Sequence, residues 1–87
     1  MTEFDAVIPA QANVAWCRSF DEHVYLTVTT EPKVRGWVRV DVRSFAICAA
    51  AQAAGRIVFV KYWGYDPNWG NGAGLFAGVQ VALNEFK

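Results

Sequence analysis

Apolar and polar side chains alternate along the first half of the chain, which is the pattern of half-buried strands. Two alternating runs cover residues 12–20 and 23–30, and the short polar stretch between them predicts a hairpin. The pattern breaks at Pro32, because proline has no amide hydrogen to donate to a sheet. A third strand is predicted over residues 34–40.

The second and third predicted strands each have two different faces. In the second strand, three apolar residues alternate with three more polar ones, so its apolar face is expected in the core: Val24, Leu26 and Val28. The other face carries Tyr25, Thr27 and Thr29. In the third strand the core side is Val34, Gly36, Val38 and Val40. The opposite side is basic with one large ring: Lys33, Arg35, Trp37 and Arg39.

An alanine-rich run over residues 42–54 predicts the one helix of the chain. Asp41 suits the N-cap position and Gly55 suits the end of the helix. The small side chains allow close packing on a sheet, with one stripe at helical spacing facing it. That stripe is Phe45, Cys48, Ala49 and Gln52.

The second half of the chain predicts two more strands separated by a long loop. Residues 56–63 are apolar on both faces, which indicates a central strand or one at an interface. Residues 64–74 are rich in Gly, Asn, Asp and Pro and form the predicted loop. Residues 75–83 fit either a strand or a helix, and the glycines at 74 and 78 favour a strand. An extra strand over residues 3–8 is left open.

The predicted order is strand, strand, strand, helix, strand, strand. This is the order of an OB-fold, a five-stranded Greek-key barrel in which a helix often joins the third and fourth strands. We therefore expect a β-rich α+β protein with an OB-like barrel. The length of 87 residues suits a single domain spanning residues 1–87.

Composition adds an expectation about assembly. Hydrophobic residues make up 54% of the chain and charged residues 18%, although a domain this small has little interior. Some apolar surface should therefore contact a partner, most simply another copy of the chain. The formal net charge of zero argues against a nucleic-acid binder held by its overall field, although a local basic patch remains compatible with it.

The sequence shows no apolar run of membrane-spanning length and no signal-peptide pattern at its start, so a cytoplasmic location is the default expectation. A signal removed earlier would make the protein secreted. Cys17 and Cys48 are too few for a disulfide scaffold and form no zinc-ligand cluster, which favours two buried thiols over a bridge. No cofactor is expected.

The second half resembles small bacterial proteins akin to the B subunits of AB5 toxins. The resemblance rests on the helical run 45–54, the turn at Gly55, the strand 56–60, the glycine-rich loop and the strand that begins Ala77-Gly78-Val79-Gln80-Val81. Those proteins have OB-folds, assemble as rings that are usually pentamers, and bind host glycans without catalysis. No binding residue of that family can be matched here, so the resemblance implies a fold and a ring assembly only.

Two groups of residues are candidate ligand sites. The first is the aromatic and polar loop, which combines flat rings with short hydrogen-bonding side chains and suits a sugar or a base. Its members are Trp63, Tyr65, Asp66, Asn68, Trp69 and Asn71. The second is the basic side of the third strand, whose arginines suit a phosphate or carboxylate. Its members are Arg35, Trp37 and Arg39, together with Lys33. Barrel capping, subunit contacts and a solvated strand face are the structural alternatives.

Catalytic and metal-binding readings have less support. His23 is the only imidazole, and its spacing from Cys17 matches no known catalytic constellation, so we expect no enzyme activity. Asp66, Asn68 and Asn71 carry oxygen atoms that calcium accepts, but turn formation explains them equally well. The leading hypothesis is an oligomeric glycan-binding module. The alternatives are a single-stranded nucleic-acid module and a purely structural assembly protein.

Overall fold

The computed structural model describes residues 7–83, which form one five-stranded antiparallel sheet with a helix packed on it. The elements are β1 (Ile8–Arg18), β2 (His23–Val28), β3 (Arg35–Arg39), α1 (Val42–Ala54), β4 (Ile57–Trp63), α2 (Trp69–Gly72) and β5 (Gly78–Leu83). The strand order is β3-β2-β1-β4-β5, and α1 packs chiefly against β1 and β5. The expected β-rich α+β class is confirmed.

The core lies between the inner face of the sheet and α1. It contains the three predicted apolar residues of β2, all at most 2% exposed: Val24, Leu26 and Val28. On β4 the inner side chains are Val58, Val60 and Tyr62, and the Tyr62 ring meets Phe76 edge to face at 5.0 Å between centroids. β4 lies between β1 and β5, which confirms an internal position for this strand.

Helix α1 begins and ends where the sequence predicts. The Asp41 carboxylate accepts a hydrogen bond from the Ser44 amide at 3.3 Å, and Gly55 takes a left-handed conformation with φ of 68° that ends the helix. The predicted inner stripe is only partly correct. Cys48 is buried, but Ala51 takes the place expected for Gln52, which is exposed at the margin of the helix.

A β-bulge in β1 changes which side chains face outward. The register of β1 with β2 shifts between Val14 and Trp16. Val14 is buried, yet Trp16 is 60% exposed, because the extra residue at Ala15 reverses the alternation. The Gln52 side-chain amide donates to the Ala15 carbonyl at 3.2 Å, so the helix satisfies the backbone at the bulge.

Several strand ends differ from the predictions. β1 begins at Ile8 rather than at residue 12. It tolerates Pro9 because its register with β2 begins only at Ala12, so the missing amide hydrogen of Pro9 costs no bond to β2. β3 is shorter than predicted, covering Arg35–Arg39. Of the extra strand considered over residues 3–8, Ile8 belongs to β1, and residues 3–6 lie outside the described part of the chain. The last segment is a strand, as favoured, but it begins at Gly78.

The segment before β5 explains that late start, because it pairs with β3 instead. The Trp37 amide donates to the Gly74 carbonyl and the Phe76 amide to the Trp37 carbonyl, each at 2.9 Å, which makes a parallel bridge between Trp37 and Leu75. This single bridge brings the two edges of the sheet together, but the sheet is not closed as a barrel over residues 7–83. No helix in the described range is long and apolar enough to cross a membrane.

Candidate functional site

The outer face of β1, β2 and β3 carries three large rings side by side, here called the aromatic row: Trp16, Tyr25 and Trp37. Tyr25 pairs in register with Trp16 on one side and with Trp37 on the other. The Tyr25 and Trp37 rings meet edge to face, with centroids 5.1 Å apart. Because α1 covers the inner face, this row lies on the side of the sheet that faces away from the helix.

Arg18 connects the β1–β2 turn to the aromatic row. Its guanidinium lies 4.7 Å from the Trp37 ring centroid and 5.2 Å from that of Phe20. The same group makes two hydrogen bonds to the Asp21 carboxylate, at 2.7 and 3.1 Å. The Arg18 hydrogen bonds hold the pKa of Asp21 below its usual range. His23 also approaches Asp21, with 3.3 Å between Nδ1 and Oδ2.

Two further arginines flank the row on β3. Arg35 pairs in register with Thr27, and Arg39 pairs with His23, so the two guanidinium groups lie on either side of Trp37. Both side chains are exposed, and neither has an ion-pair partner within residues 7–83. The outer face therefore presents rings at its centre and positive charge on both sides.

The β4–β5 loop is held against the edge of β3 by two tyrosines. The Tyr65 hydroxyl donates to the Arg35 carbonyl at 2.5 Å, and the Tyr65 ring packs against Phe76 with centroids 4.8 Å apart. From the other side, the Tyr25 hydroxyl donates to the Ala73 carbonyl at 3.3 Å. The loop is thus tied to the outer face of the sheet at both ends.

A cleft separates this loop from the β2–β3 connection. It has a volume of about 640 Å³ and is called the Lys33 cleft below. Its lining residues are Thr27, Val28, Thr29, Lys33, Val34, Arg35, Tyr65, Pro67 and Gly72. It adjoins the aromatic row, because Thr27 and Arg35 are the next outward-facing pair on β2 and β3.

The predicted loop residues take different roles. Trp63 packs across the sheet on Gly78, where a Cβ would collide with its ring. Asp66 forms an antiparallel bridge with Leu75, and its carboxylate accepts from the Asn68 amide at 2.9 Å, so its place is explained by turn formation.

The tip of the loop is a tight turn in which Gly70 and Asn71 take left-handed backbone conformations. Trp69 is 46% exposed and begins this turn, α2. Asn71 has a positive φ of 61° and is exposed. Of the predicted site, the structure thus groups Arg35, Trp37 and Arg39 on one face and brings Tyr65 to their edge.

Sequence reasoning missed Trp16, Arg18 and Phe20 as members of this face. A strict alternation places Trp16 with Ala12 and Val14 on the core side, and only the bulge turns it outward. Phe20 is 82% exposed at the turn. The signal that could have revealed Arg18 is its position beside two aromatic residues and near an acidic turn.

The two cysteines face the core. Cys48 is fully buried, and burial raises its pKa to about 12, so it stays a neutral thiol. Cys17 pairs with Val24 and packs on the core, while His23 pairs with Arg18 on the outer side of the sheet. The structure does not bring this thiol and imidazole together. Within residues 7–83, no three His, Cys, Asp or Glu residues are grouped to hold a metal ion.

Comparison with known proteins assigns no family: no protein-family model matches the chain, and no curated protein matches it significantly.

Proposed function

We propose that this chain is an OB-like, non-enzymatic binding module that recognises a glycan or a glycan-like small molecule on the outer face of β1–β3. The observation that carries the proposal is the aromatic row with arginines on both sides. Rings offer flat apolar surfaces to the C–H groups of a sugar ring, and guanidinium groups donate paired hydrogen bonds to its oxygen atoms.

The topology supports the OB-like part of the proposal. β1 pairs with both β2 and β4, the helix joins β3 to β4, and the edge of β3 meets the segment before β5 in a parallel bridge. An OB-fold is a partly open five-stranded barrel whose ligands commonly contact strands two and three and the loops beside them. The aromatic row and the β4–β5 loop occupy the corresponding region.

A small ligand suits this face better than a long nucleic-acid strand. Binding of a single strand needs a series of free ring faces on which successive bases stack. Here Tyr25 meets Trp37 edge to face, and Arg18 covers Trp37. Trp16, at 60% exposed, and Trp69, at 46% exposed, keep accessible ring surface, which suits one or two sugar rings.

The proposed module is a homo-oligomer. The chain is 54% hydrophobic, and the outer side of α1 bears Val42, which is 69% exposed, followed by the exposed Ala46 and Ala50. A contact with another copy would bury these side chains. The resemblance to AB5 toxin B subunits favours a ring, with a pentamer as the leading size.

Binding to an immobilised glycan panel, followed by calorimetry with the best oligosaccharide, tests the proposed function. Trp16→Ala is expected to weaken that affinity by about tenfold, which corresponds to about 1.4 kcal/mol. Trp69→Ala is expected to weaken it as well, because Trp69 is 46% exposed on the loop beside this face. Both side chains are substantially exposed, so neither change should unfold the domain.

Arg56→Ala is the matched control, because it also truncates an exposed side chain but lies between α1 and β4, outside the proposed ligand face and outside the α1 surface proposed for subunit contacts. Its glycan affinity should equal that of the wild type. A panel without any bound glycan contradicts the proposal, and so does a glycan that binds Trp16→Ala and wild type equally.

Single-stranded nucleic acid is the second candidate, favoured by the interleaving of Arg18, Arg35 and Arg39 with the aromatic row. Short DNA and RNA oligonucleotides test it in the same assay. A steep loss of affinity between about 50 and 200 mM salt, together with loss of binding in Arg35→Gln, would favour this candidate over the glycan.

A further inference from the structure

We propose that the Lys33 cleft is the subsite for an anionic substituent, a carboxylate or a phosphate, on a ring bound beside it. This inference rests on the proposed function and deepens it, because it names the chemistry that distinguishes one small ligand from another. It extends the ligand surface from the aromatic row into the space between the β2–β3 connection and the β4–β5 loop.

The positive charge of the cleft is the first observation that supports an anion subsite. Lys33 and Arg35 line it, and no acidic side chain lies among its lining residues. Within residues 7–83 neither cation has a carboxylate partner. Two unpaired cations on one wall attract an anion, and an arginine can meet a carboxylate or phosphate with two parallel hydrogen bonds.

Neutral hydroxyl groups lie beside these charges. Thr27 is the register partner of Arg35, so its hydroxyl lies on the same face of the sheet as the guanidinium. Thr29 lines the cleft at the end of β2, where its hydroxyl bonds to the Gln11 carbonyl at 3.2 Å. The Thr27 hydroxyl can bond to a substituent of the ring, and the Thr29 oxygen, whose proton is used on Gln11, can accept from a ligand hydroxyl while the cations hold the anion.

The apolar part of the lining is fixed in place. Tyr65 and Pro67 supply it, and Tyr65 is held by its hydrogen bond to the Arg35 carbonyl and by its contact with Phe76. Because Tyr65 bonds to the backbone of Arg35, the position of the tyrosine ring is fixed relative to the residue that carries the positive charge. A preformed wall lowers the ordering cost of binding, since little must be immobilised when the ligand enters.

The volume of about 640 Å³ accommodates a single six-membered ring with its substituents. It is an open cleft beside the aromatic row, which suits a terminal unit of a longer ligand whose next ring lies along that row.

Three probes with the same sugar ring test the proposal: glucose, glucuronate and glucose 6-phosphate. Titrations followed by amide chemical shifts in NMR report both the affinity and the place of binding. We expect the charged probes to bind at least about tenfold more tightly than glucose and to shift the amides of Thr27, Lys33 and Arg35. The stronger of the two charged probes identifies the anion as a carboxylate or a phosphate.

Arg35→Gln and Lys33→Gln should each reduce the advantage of the charged probes over glucose by several fold. Arg56→Gln is the control, since it removes the same charge from an exposed residue outside the cleft and should leave the advantage unchanged. Equal affinity for all three probes, or an equal loss in Arg56→Gln, overturns the anion subsite even if glycans bind the aromatic row. Failure of the whole glycan panel is the separate result that overturns the proposed function.

Discussion

At the scale of single residues, Arg18 links the β1–β2 turn to β3 on the outer face. Its guanidinium bonds to Asp21 in the turn, lies over Phe20, and covers Trp37 on β3. An exposed ion pair alone contributes little to stability, because water screens the charges. The main effect of Arg18 is therefore to orient Trp37 and the β1–β2 turn, which belong to the proposed ligand face.

The Arg18–Asp21 pair predicts a pH dependence with a defined sign. The pKa of Asp21 is lowered, chiefly by the Arg18 hydrogen bonds, so the pair stabilises the fold above the ordinary carboxyl pKa of about 3.9. That stabilisation is lost as the pH falls through the lowered pKa of Asp21. NMR titration of the Asp21 carboxyl carbon should show a midpoint below about 3.9, which rises in Arg18→Gln.

Arg43→Gln serves as the control in this titration, because Arg43 lies on α1 and makes no ion pair with Asp21. Its Asp21 midpoint should match that of the wild type. The same midpoint in wild type and in Arg18→Gln would show that Arg18 does not hold this carboxylate in solution.

At the scale of elements, the approach of β3 to the segment before β5 positions the whole candidate site. It depends on two glycines that meet at van der Waals distance. A Cβ on Gly36 would lie 2.7 Å from the Gly74 carbonyl carbon, and Gly74 itself has a positive φ of 90°. The lack of side chains at both positions lets the backbone of the loop pair with β3.

Gly36→Ala is expected to lower the free energy of unfolding by about 1–3 kcal/mol, because the added methyl group forces the Gly74 backbone away. Hydrogen exchange should locate the damage. The amide hydrogens of Trp37 and Phe76, which bond across this contact, should lose protection more than those of the β1–β2 pair.

Gln80→Ala on β5 is a suitable comparison, since Gln80 is exposed and its loss should change stability by less than about 0.5 kcal/mol. Unchanged stability and unchanged protection in Gly36→Ala would mean that the bridge between β3 and the loop is not maintained in solution.

At the scale of the whole molecule, the distribution of apolar surface leads to the proposed assembly. The inner face of the sheet is covered by α1, but the outer side of that helix is itself apolar. Large exposed side chains remain at Val7, Trp16, Phe20, Val42 and Trp69. Three of these five lie on the proposed ligand side, which leaves Val7 and Val42 for subunit contacts.

Light scattering should therefore give a solution mass that is a multiple of the 9.7 kDa chain. Val42→Glu should reduce that mass, because a buried unpaired carboxylate is costly in an interface. The change should be harmless to the isolated fold, since Val42 is exposed and an acidic residue suits the first turn of a helix.

Asn68→Glu places the same charge in the β4–β5 loop and should leave the mass unchanged. A monomer at every concentration would remove the ring from the proposal. It would leave the ligand face to be tested by itself.

The features that the sequence predicts well are those that depend on local chemistry. The capping of α1 by Asp41 and Gly55 and the alternation of β2 arise from a residue's own backbone preferences and from period-two burial. The basic outer side of β3 follows from the same alternation, so Arg35, Trp37 and Arg39 could be placed on one face without a structure.

Other features depend on contacts between residues far apart in the chain. Only the tertiary structure decided these features. The bulge at Ala15 is stabilised by Gln52 of α1, and it reverses the orientation of Trp16. The sequence predicts Tyr65 as a loop ligand residue, but its bond to Arg35 also makes it one of the two tyrosines that hold the loop. Local sequence thus determined most of the elements and their faces. The cleft and the aromatic row form only when segments far apart in the chain come into contact, and no local sequence pattern encodes those contacts.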